Sequence, residues 1–309
     1  MQENKLNFVF FGTPDVASET LEILKSSGYL PSLIVTSPDR PAGRGLQMQS
    51  SPVAHFAEKN NIIYLKDNIE NPSNFLDACI LANVRQNRGS ELLDLTNLEE
   101  SELKIPDFFL VVAYGKILPE VIIKIPRLGS INIHYSLLPK YRGASPVESA
   151  ILNGETETGV TIQQMEYKMD AGPIIAEEKV SIGDTETAPE LRKRLIKIGG
   201  ELLVKILPDF IESKIKPIPQ DETLATFCKK IKKEDGLVDL GKEPARNLYN
   251  KFRAYASWPR TYFFKEDKRI IITDAVLEDN PFDSAQSKKF IIKKIIPEGG
   301  KEQEYKPSN

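Results

Sequence analysis

Short runs of almost entirely apolar residues, separated by segments of helical periodicity, constrain this chain more than any other feature. Leu6–Phe11, Leu33–Thr36 and Phe108–Ala113 are such runs. A strand that is apolar on both faces is buried on both faces, which is typical of parallel sheets covered by helices. The alternation therefore predicts an α/β fold with a doubly wound parallel sheet. The intervening segments predicted to be helical are Ser18–Ser26, Val53–Asn60 and Ile117–Ile125.

The pattern changes near residue 130. Ser130–His134 alternates apolar and polar residues, and Gly159–Met165 and Pro173–Ile182 predict two more strands joined by a turn. Thr187 is a suitable N-cap for a helix that ends near Leu207. These elements complete a first domain over residues 1–207.

The C-terminal third is predicted to contain different secondary structure, with a linker, one helix and several short strands. Two prolines in Lys214–Gln220 predict an extended linker over 208–220. A helix at Glu243–Ala254 precedes short strands, and Thr261–Phe264 and Arg269–Thr273 flank a polar turn typical of a hairpin. With a strand at Phe290–Ile296, residues 221–309 are predicted to form a smaller, barrel-like β domain.

Charge and residue counts exclude several classes of function. The formal net charge is −3, from 41 basic and 44 acidic residues, which excludes a uniformly basic nucleic-acid binder. With two cysteines and two histidines, the chain lacks the clustered ligands of a structural zinc site, so we predict no metal. No apolar run approaches the ~18 residues of a membrane span, and the N-terminal residues do not resemble a secretory signal. We expect a cytoplasmic protein that does not cross a membrane.

The loop after the first strand carries no nucleotide-binding motif. Phe11–Asp15 lacks the glycine pattern of dinucleotide-binding and P-loop proteins, so both classes lose their main support. A second loop, within Ser37–Gln49, contains Arg40 and Arg44 beside two glycines. It is either an ordinary surface turn or a loop that contacts phosphate.

Imidazole chemistry has two candidates, and one is favoured. His55 lies on a predicted surface helix. His134 shares a strand face with Asn132, because residues two apart in a strand point the same way. Asp170, in an Asp-x-Gly turn, is a candidate third group. The three are either a hydrogen-bonded strand end and a common turn, or a site that binds an oxyanion and moves a proton. No activated nucleophile is evident, so the attacking group is expected to come from the substrate.

Two motifs identify a family. Asn132–Gly143 (NIHYSLLPKYRG) and Asp170–Gly172 resemble the signature of the folate-dependent formyltransferases. Within that family, Phe11–Ala17, Thr36–Gly45 and the pair Asp221–Asp239 and Arg253–Pro259 are similar to the branch that acts on methionyl-tRNA. The resemblance implies a Rossmann-like N-terminal domain and a C-terminal OB-like β-barrel. It also implies 10-formyltetrahydrofolate as formyl donor, methionyl initiator tRNA as acceptor, and a monomer.

The resemblance also assigns residues to roles. It implies that Asn132, His134 and Asp170 are the catalytic residues. Contacts with phosphate are expected from six basic residues, although the lysines among them are equally well explained as a solvated helix face. The basic residues are Arg40, Arg44, Lys229, Lys230, Lys232 and Lys233. The residues implied to bind the folate are Val112, Tyr114, Gly115, Leu118, Ser136, Leu137, Leu138 and Pro139.

Some features depart from the family pattern, and other functions stay open. Tyr135 stands where a small residue is common, Ala78–Lys104 is a long insertion, and Asp274–Lys289 is short for a full set of barrel strands. The rival functions are formyl transfer to a nucleotide-linked amino sugar, hydrolysis of the formyl donor, and non-catalytic tRNA binding. An assay that compares formyl transfer to different acceptor amines, and formate release without any acceptor, distinguishes these functions.

Overall fold

The computed structural model describes residues 6–42, 47–66, 69, 71–88, 103–279 and 288–306. Its contacts divide the chain into two compact units that alternate along the sequence. The first contains the chain up to Pro139, Val160–Glu178 and Ile196–Thr223; the second contains Lys140–Gly159, Lys179–Leu195 and the chain from Leu224 onward. The boundaries drawn from the sequence, at 207 and 220, stay a prediction.

The order of helices and strands follows the predicted alternation. The elements are β1 (Phe8–Gly12), α1 (Asp15–Ser26), β2 (Leu33–Thr36), β3 (Arg40–Ala42), β4 (Gln47–Gln49), α2 (Pro52–Lys59), β5 (Ile63–Lys66), α3 (Pro72–Arg88), β6 (Phe108–Val112), α4 (Glu120–Ile123), β7 (Ser130–His134), β8 (Arg142–Gly143), α5 (Pro146–Leu152), β9 (Glu157–Gln164), β10 (Ile174–Ser181), α6 (Ala188–Ile211), β11 (Phe227–Cys228), α7 (Ala245–Ala254), β12 (Tyr262–Lys265), β13 (Lys268–Asp279), β14 (Lys288–Pro297) and β15 (Gln303–Glu304).

A seven-stranded sheet in the order β10-β9-β7-β6-β1-β2-β5 organises the fold. The pairs β1–β2, β1–β6, β2–β5 and β6–β7 are parallel, and β9 joins β7 antiparallel. Every residue of β1, β2 and β6 is buried, as their apolar sequences require. The predicted Rossmann-like α/β fold is confirmed.

One face of this sheet is closed by aromatic packing. The Phe11 ring lies 5.2 Å from that of Phe109 and 5.9 Å from that of Phe75, which α3 supplies. Cys79 and Ala82 of the same helix join this core cluster. The first part of the Ala78–Lys104 insertion is therefore core helix, whereas residues 89–102 lie outside the described residues.

Two predicted helix bounds were wrong. The segment predicted as a helix over Ile117–Ile125 forms only the four residues of α4, because Pro119 precedes it and the chain turns at Pro126. Helix α6 continues past Leu207 to Ile211, with Pro208 inside it. Phe210 packs its ring 5.7 Å from that of Phe108, and this burial holds the last turn in helical form.

The second unit contains an antiparallel sheet in the order β12-β13-β14-β15. The predicted hairpin is confirmed: Tyr262 pairs with Ile271, and its two-residue turn, Glu266 and Asp267, takes positive φ at both positions. Helix α7 contributes Leu248 to the core of this unit. The predicted strands Arg269–Thr273 and Phe290–Ile296 were too short, because β13 and β14 run for 12 and 10 residues. The four-stranded sheet and its packed core agree with a small barrel-like β domain. Among the described residues, no helix is both long and apolar enough to cross a membrane.

Candidate active site

Strand β7 places Asn132 and His134 on one face, and β9 lies beside it in an antiparallel register. Asn132 pairs with Gln163 and His134 pairs with Thr161. Directly opposed residues of an antiparallel pair project from the same face. Four polar side chains therefore meet on one face of the sheet, and three of them, those of His134, Thr161 and Gln163, are buried.

Asp170 reaches this face from the turn after β9. Its backbone adopts φ = 53°, in the left-handed region that aspartate tolerates. At Gly172 a Cβ atom would lie 1.7 Å from the backbone oxygen of Gln164, so only glycine fits there. The turn brings Asp170 Oδ1 to 3.8 Å from His134 Nδ1, with the two side chains 17% and 7% exposed.

Hydrogen bonds fix the orientation of the Asn132 amide. Its Nδ2 donates to the Val111 carbonyl at 2.9 Å, and its Oδ1 accepts from Gln163 Nε2 at 3.3 Å. The same Gln163 nitrogen donates to Asp170 Oδ1 at 3.0 Å. Among the described residues, no further acceptor takes the second hydrogen of Asn132 Nδ2.

This arrangement has a definite chemical capacity. The second Nδ2–H of Asn132 can donate to a carbonyl oxygen, and more strongly to one that gains negative charge. His134 can carry or deliver a proton, and the Asp170 carboxylate beside it compensates an imidazolium charge. An acyl-type carbon attacked by an external amine requires these groups: donors for the oxygen and a residue that moves a proton.

The segment after β7 is bonded to β9 through one threonine. Thr161 Oγ1 donates to the Ser136 carbonyl at 2.7 Å and accepts from the Leu138 backbone N–H at 3.1 Å. Ser136 and Leu138 are buried, whereas Leu137 and Pro139 are half-buried. The four residues implied to border the folate therefore form one fixed segment directly beyond His134.

The other residues implied to bind the folate, Val112, Tyr114, Gly115 and Leu118, expose mainly their backbone to solvent. The Tyr114 ring packs 5.5 Å from that of Phe11, and Leu118 joins the same core. Burial raises the pKa of Tyr114 to about 12. Val112 is buried within β6, while Gly115 is exposed at φ = 81°. The accessible surface of this stretch is thus the chain around Gly115, where the side chains of Tyr114 and Leu118 have turned inward.

The basic residues implied to contact tRNA occupy separate parts of the chain. Arg40 is exposed at the start of β3, and Arg44 lies outside the described residues. The four lysines of the Lys229–Lys233 run, Lys229, Lys230, Lys232 and Lys233, are exposed in the second unit. The predicted helix there was wrong, because the run follows β11 as irregular chain and then enters a 3-10 turn at Lys233–Gly236, and the lysines are solvated on that segment.

Three polar residues of the site were missed by the sequence analysis. Thr161 and Gln163 alternate along β9, which is a readable signal of a polar patch on one strand face. Gln220, at the end of the predicted linker, donates to the carbonyls of Asp170 and Gly172 at 2.9 and 2.7 Å. Nothing local in the sequence indicates that contact. Among the described residues, no group of three or more His, Cys, Asp or Glu side chains is placed to hold a metal ion.

Comparison with known proteins gives consistent results. A family described as "Formyl transferase" matches residues 5–207, and its C-terminal domain matches residues 230–303. A methionyl-tRNA formyltransferase from Thermotoga maritima is 40% identical over 254 residues, which cover 82% of this chain and 74% of that protein. One from Staphylococcus aureus is 36% identical over 270 residues, covering 87% of this chain and 79% of that protein.

A solved structure has the same fold. It is an N-formyltransferase from Helicobacter canadensis in complex with folinic acid and dTDP-3-aminofucose. The TM-score is 0.65 and the identity 17%, with 93% of this chain and 98% of that chain covered.

Proposed function

The chain belongs to the methionyl-tRNA formyltransferase family, and from that premise we propose that it transfers a formyl group from 10-formyltetrahydrofolate to the free amino group of methionyl initiator tRNA. The product is N-formylmethionyl-tRNA, used to initiate translation. The observation that carries the proposal is the cluster of Asn132, His134 and Asp170: Gln163 donates hydrogen bonds to Asn132 and Asp170, and His134 Nδ1 lies 3.8 Å from Asp170 Oδ1.

The reaction requires two contributions from these residues, which are hydrogen bonds to an oxyanion and the transfer of a proton. The neutral methionyl amine attacks the formyl carbon, a new C–N bond forms, and the carbonyl oxygen becomes an oxyanion. Asn132 Nδ2 and protonated His134 donate hydrogen bonds to that oxygen. One such donor typically contributes about 3–4 kcal/mol to transition-state stabilisation.

Collapse of the tetrahedral species requires proton transfer. The bond between the formyl carbon and N10 of the folate breaks, and the proton lost by the amine must reach N10. Asp170 and His134, 3.8 Å apart, provide an acceptor and a donor for this transfer through water. The bonds and charges balance without any further reagent.

Binding of the donor is assigned to the segments on either side of the cluster. Ser136, Leu137, Leu138 and Pro139 lie next to His134, and the backbone around Gly115 follows β6, the parallel neighbour of β7. Ligands of open α/β sheets bind at the carboxyl ends of such strands. The folinic acid bound by the Helicobacter relative supports a folate as donor.

Binding of the acceptor is assigned to the exposed basic residues. Arg40 and Arg44 would contact the acceptor end of the tRNA, and the four lysines of the Lys229–Lys233 run would contact phosphates. We expect a monomer, which sedimentation analysis tests, and action in the cytoplasm, where translation initiates.

One assay tests the function against its rivals. Purified protein is incubated with labelled formyl donor and, separately, charged initiator tRNA, charged elongator tRNA, a nucleotide-linked amino sugar, or buffer. We expect formylated initiator methionyl-tRNA as the dominant product. A formylated sugar, or formate released equally without any acceptor, would overturn the proposal.

Matched histidine variants connect that assay to the site. His134→Ala should lower turnover by about two orders of magnitude or more, because it removes an oxyanion donor and the proton carrier. His55→Ala is the control, since its side chain is 65% exposed on α2. Equal activity of the two variants would contradict the assignment.

A further inference from the structure

We propose that Gln163 and Gln220 form a positioning pair that sets the Asn132 amide and the Asp170 carboxylate for catalysis. The inference rests on the proposed function, and it assigns roles to two residues that carry no chemistry themselves. Both belong to the first unit, as do the groups they contact.

The side-chain amide of Gln163 can adopt only one orientation. It is 2% exposed, and its Nε2 faces two oxygens, Asp170 Oδ1 at 3.0 Å and Asn132 Oδ1 at 3.3 Å. An amide nitrogen has two hydrogens, and both are used here. If the Gln163 amide were reversed, its Oε1 would lie against Asn132 Oδ1 and Asp170 Oδ1 and be repelled by both. The observed orientation of Gln163 is therefore the one that its neighbours allow.

The orientation of the Gln163 amide determines which atom of the Asn132 amide faces a ligand. Because Asn132 Oδ1 accepts from Gln163, its Nδ2 must face the opposite side, where Val111 accepts one hydrogen at 2.9 Å. The second hydrogen is then available to the oxygen of the formyl group. With the amide flipped, Oδ1 would meet that oxygen and repel it. Gln163 and the Val111 carbonyl thus together select the orientation of Asn132 that can donate.

Gln220 holds the other end of the same arrangement. Its Nε2 lies 3.4 Å from Gln163 Oε1, the one acceptor on that side chain, and donates to the carbonyls of Asp170 and Gly172. These carbonyls lie within the turn whose left-handed residue is Asp170. Gln220 therefore holds the backbone that carries Asp170 with both Nε2 hydrogens, and its amide lies against that of Gln163, which orients the Asp170 carboxylate.

The segment that carries Gln220 is itself bonded to the sheet. Ile218 and Ile174, at the start of β10, exchange two backbone hydrogen bonds of 2.8 Å. The predicted extended linker is therefore docked as a partner of an edge strand just before Gln220. This docking gives Gln220 a fixed position relative to the Asp170 turn.

Steady-state kinetics of Gln163→Met test the pair. Methionine keeps the length of the side chain and removes the donors. We expect kcat to fall by about 10²-fold, the scale of a misplaced catalytic group, with the KM values for donor and tRNA within about threefold of wild type. Gln164→Met is the matched control: it neighbours Gln163 on β9, its side chain points to the other face, and we expect wild-type kcat.

A double-variant cycle separates positioning from general destabilisation. If Gln163 acts through Asn132 as well as Asp170, then Gln163→Met lowers kcat by a smaller factor in the Asn132→Ala background than in wild type, whereas independent effects would multiply. Gln220→Leu, a change at a half-buried residue, gives a second arm with a smaller loss of kcat and unchanged KM, and it serves if Gln163→Met does not fold.

The outcomes distinguish this inference from the function on which it rests. Wild-type protein that formylates methionyl-tRNA, together with folded Gln163→Met and Gln220→Leu variants of wild-type kcat, overturns only the positioning pair. A rise in KM at unchanged kcat, or full multiplication in the cycle, also overturns it. Wild-type protein without formyltransferase activity overturns both.

Discussion

Asp170 Oδ1 lies 3.8 Å from His134 Nδ1, although one residue is on a turn and the other at the end of β7. Both side chains are largely enclosed, so a protonated imidazole has the carboxylate as a nearby countercharge. The relationship depends on Gly172, because a side chain at that position would enter the backbone of β9.

Removing the charge of Asp170 should impair turnover without removing the side chain. We expect Asp170→Asn to lower kcat by about two orders of magnitude, because the amide preserves the shape and abolishes the countercharge to His134. Rapid-quench assays with formyl donor and charged tRNA measure the change. Asp184→Asn, at an exposed acid of the second unit, should match wild type; equal kcat in both variants would contradict the role of Asp170.

The tight turn at Gly172 should tolerate no side chain. A Cβ atom there would lie 1.7 Å from the Gln164 oxygen, so Gly172→Ala forces the turn apart. We expect a loss of about 3 kcal/mol in the free energy of unfolding, measured in urea, and loss of activity. In Gly241→Ala, the new Cβ atom would meet Asp239 Oδ1 at an ordinary 3.5 Å. That control should unfold at the wild-type urea concentration.

Arg253 should prove structural. Its side chain is 4% exposed and donates to the carbonyls of Gly183 and Glu186 at 3.0 and 3.1 Å and to Asn250 Oδ1 at 2.9 Å. Burial lowers the pKa of its guanidinium. Arg253→Met would leave buried acceptors unpaired, at a cost of about 2–4 kcal/mol in the free energy of unfolding.

The control for Arg253 lies on the same helix. Arg246 is exposed on α7, and Arg246→Met should change the unfolding free energy by less than about 0.5 kcal/mol. If thermal and urea denaturation showed both arginine variants as stable as wild type, the anchoring role of Arg253 would be refuted.

The two cysteines should differ in reactivity. Burial raises the pKa of the Cys79 thiol to about 12, whereas Cys228 is half-buried. At pH 8 an alkylating reagent should therefore modify Cys228 first and reach Cys79 only after unfolding. Peptide mapping of the alkylated protein, with and without urea, identifies which thiol reacts. Rapid labelling of native Cys79 would argue against its place in the core.

The same thiol predicts a pH dependence of stability. Its folded pKa of about 12 lies above the ordinary value of 9.0, so the folded state retains the proton more strongly. The contribution is fully present below pH 9 and is lost as the pH rises towards 12. Between about pH 9 and pH 10.5 the loss is about 2 kcal/mol, and it should be absent from the Cys79→Ala variant. Urea titrations at several pH values compare the two proteins.

The lysine run should govern affinity for tRNA. Replacing Lys229, Lys230, Lys232 and Lys233 by alanine should raise the KM for tRNA by about tenfold or more and flatten its salt dependence between about 50 and 200 mM, because fewer counterions are released. A variant lacking four scattered exposed lysines, Lys59, Lys124, Lys197 and Lys214, controls for net charge. If the KM for tRNA depended on salt concentration equally in the two variants, the lysine run would not be part of the tRNA interface.

Much of the fold was determined by local sequence. The wholly apolar runs determined the buried parallel strands, and the polar turn between Lys265 and Lys268 determined the hairpin, because periodicity and turn chemistry act over a few residues. That Asn132 and His134 lie on the same face followed from the geometry of a single strand. The resemblance to the formyltransferase motif predicted that Asp170 belongs to the same site.

Tertiary structure decided the rest of the site. The register of β7 against β9 placed Gln163 opposite Asn132, and the docking of Ile218 on Ile174 placed Gln220 against the Asp170 turn. Packing of Phe210 on Phe108 extended α6 through a proline, and the aromatic core drew the Tyr114 side chain inward. Each depends on contacts between distant parts of the chain, whose free energies no short stretch of sequence contains.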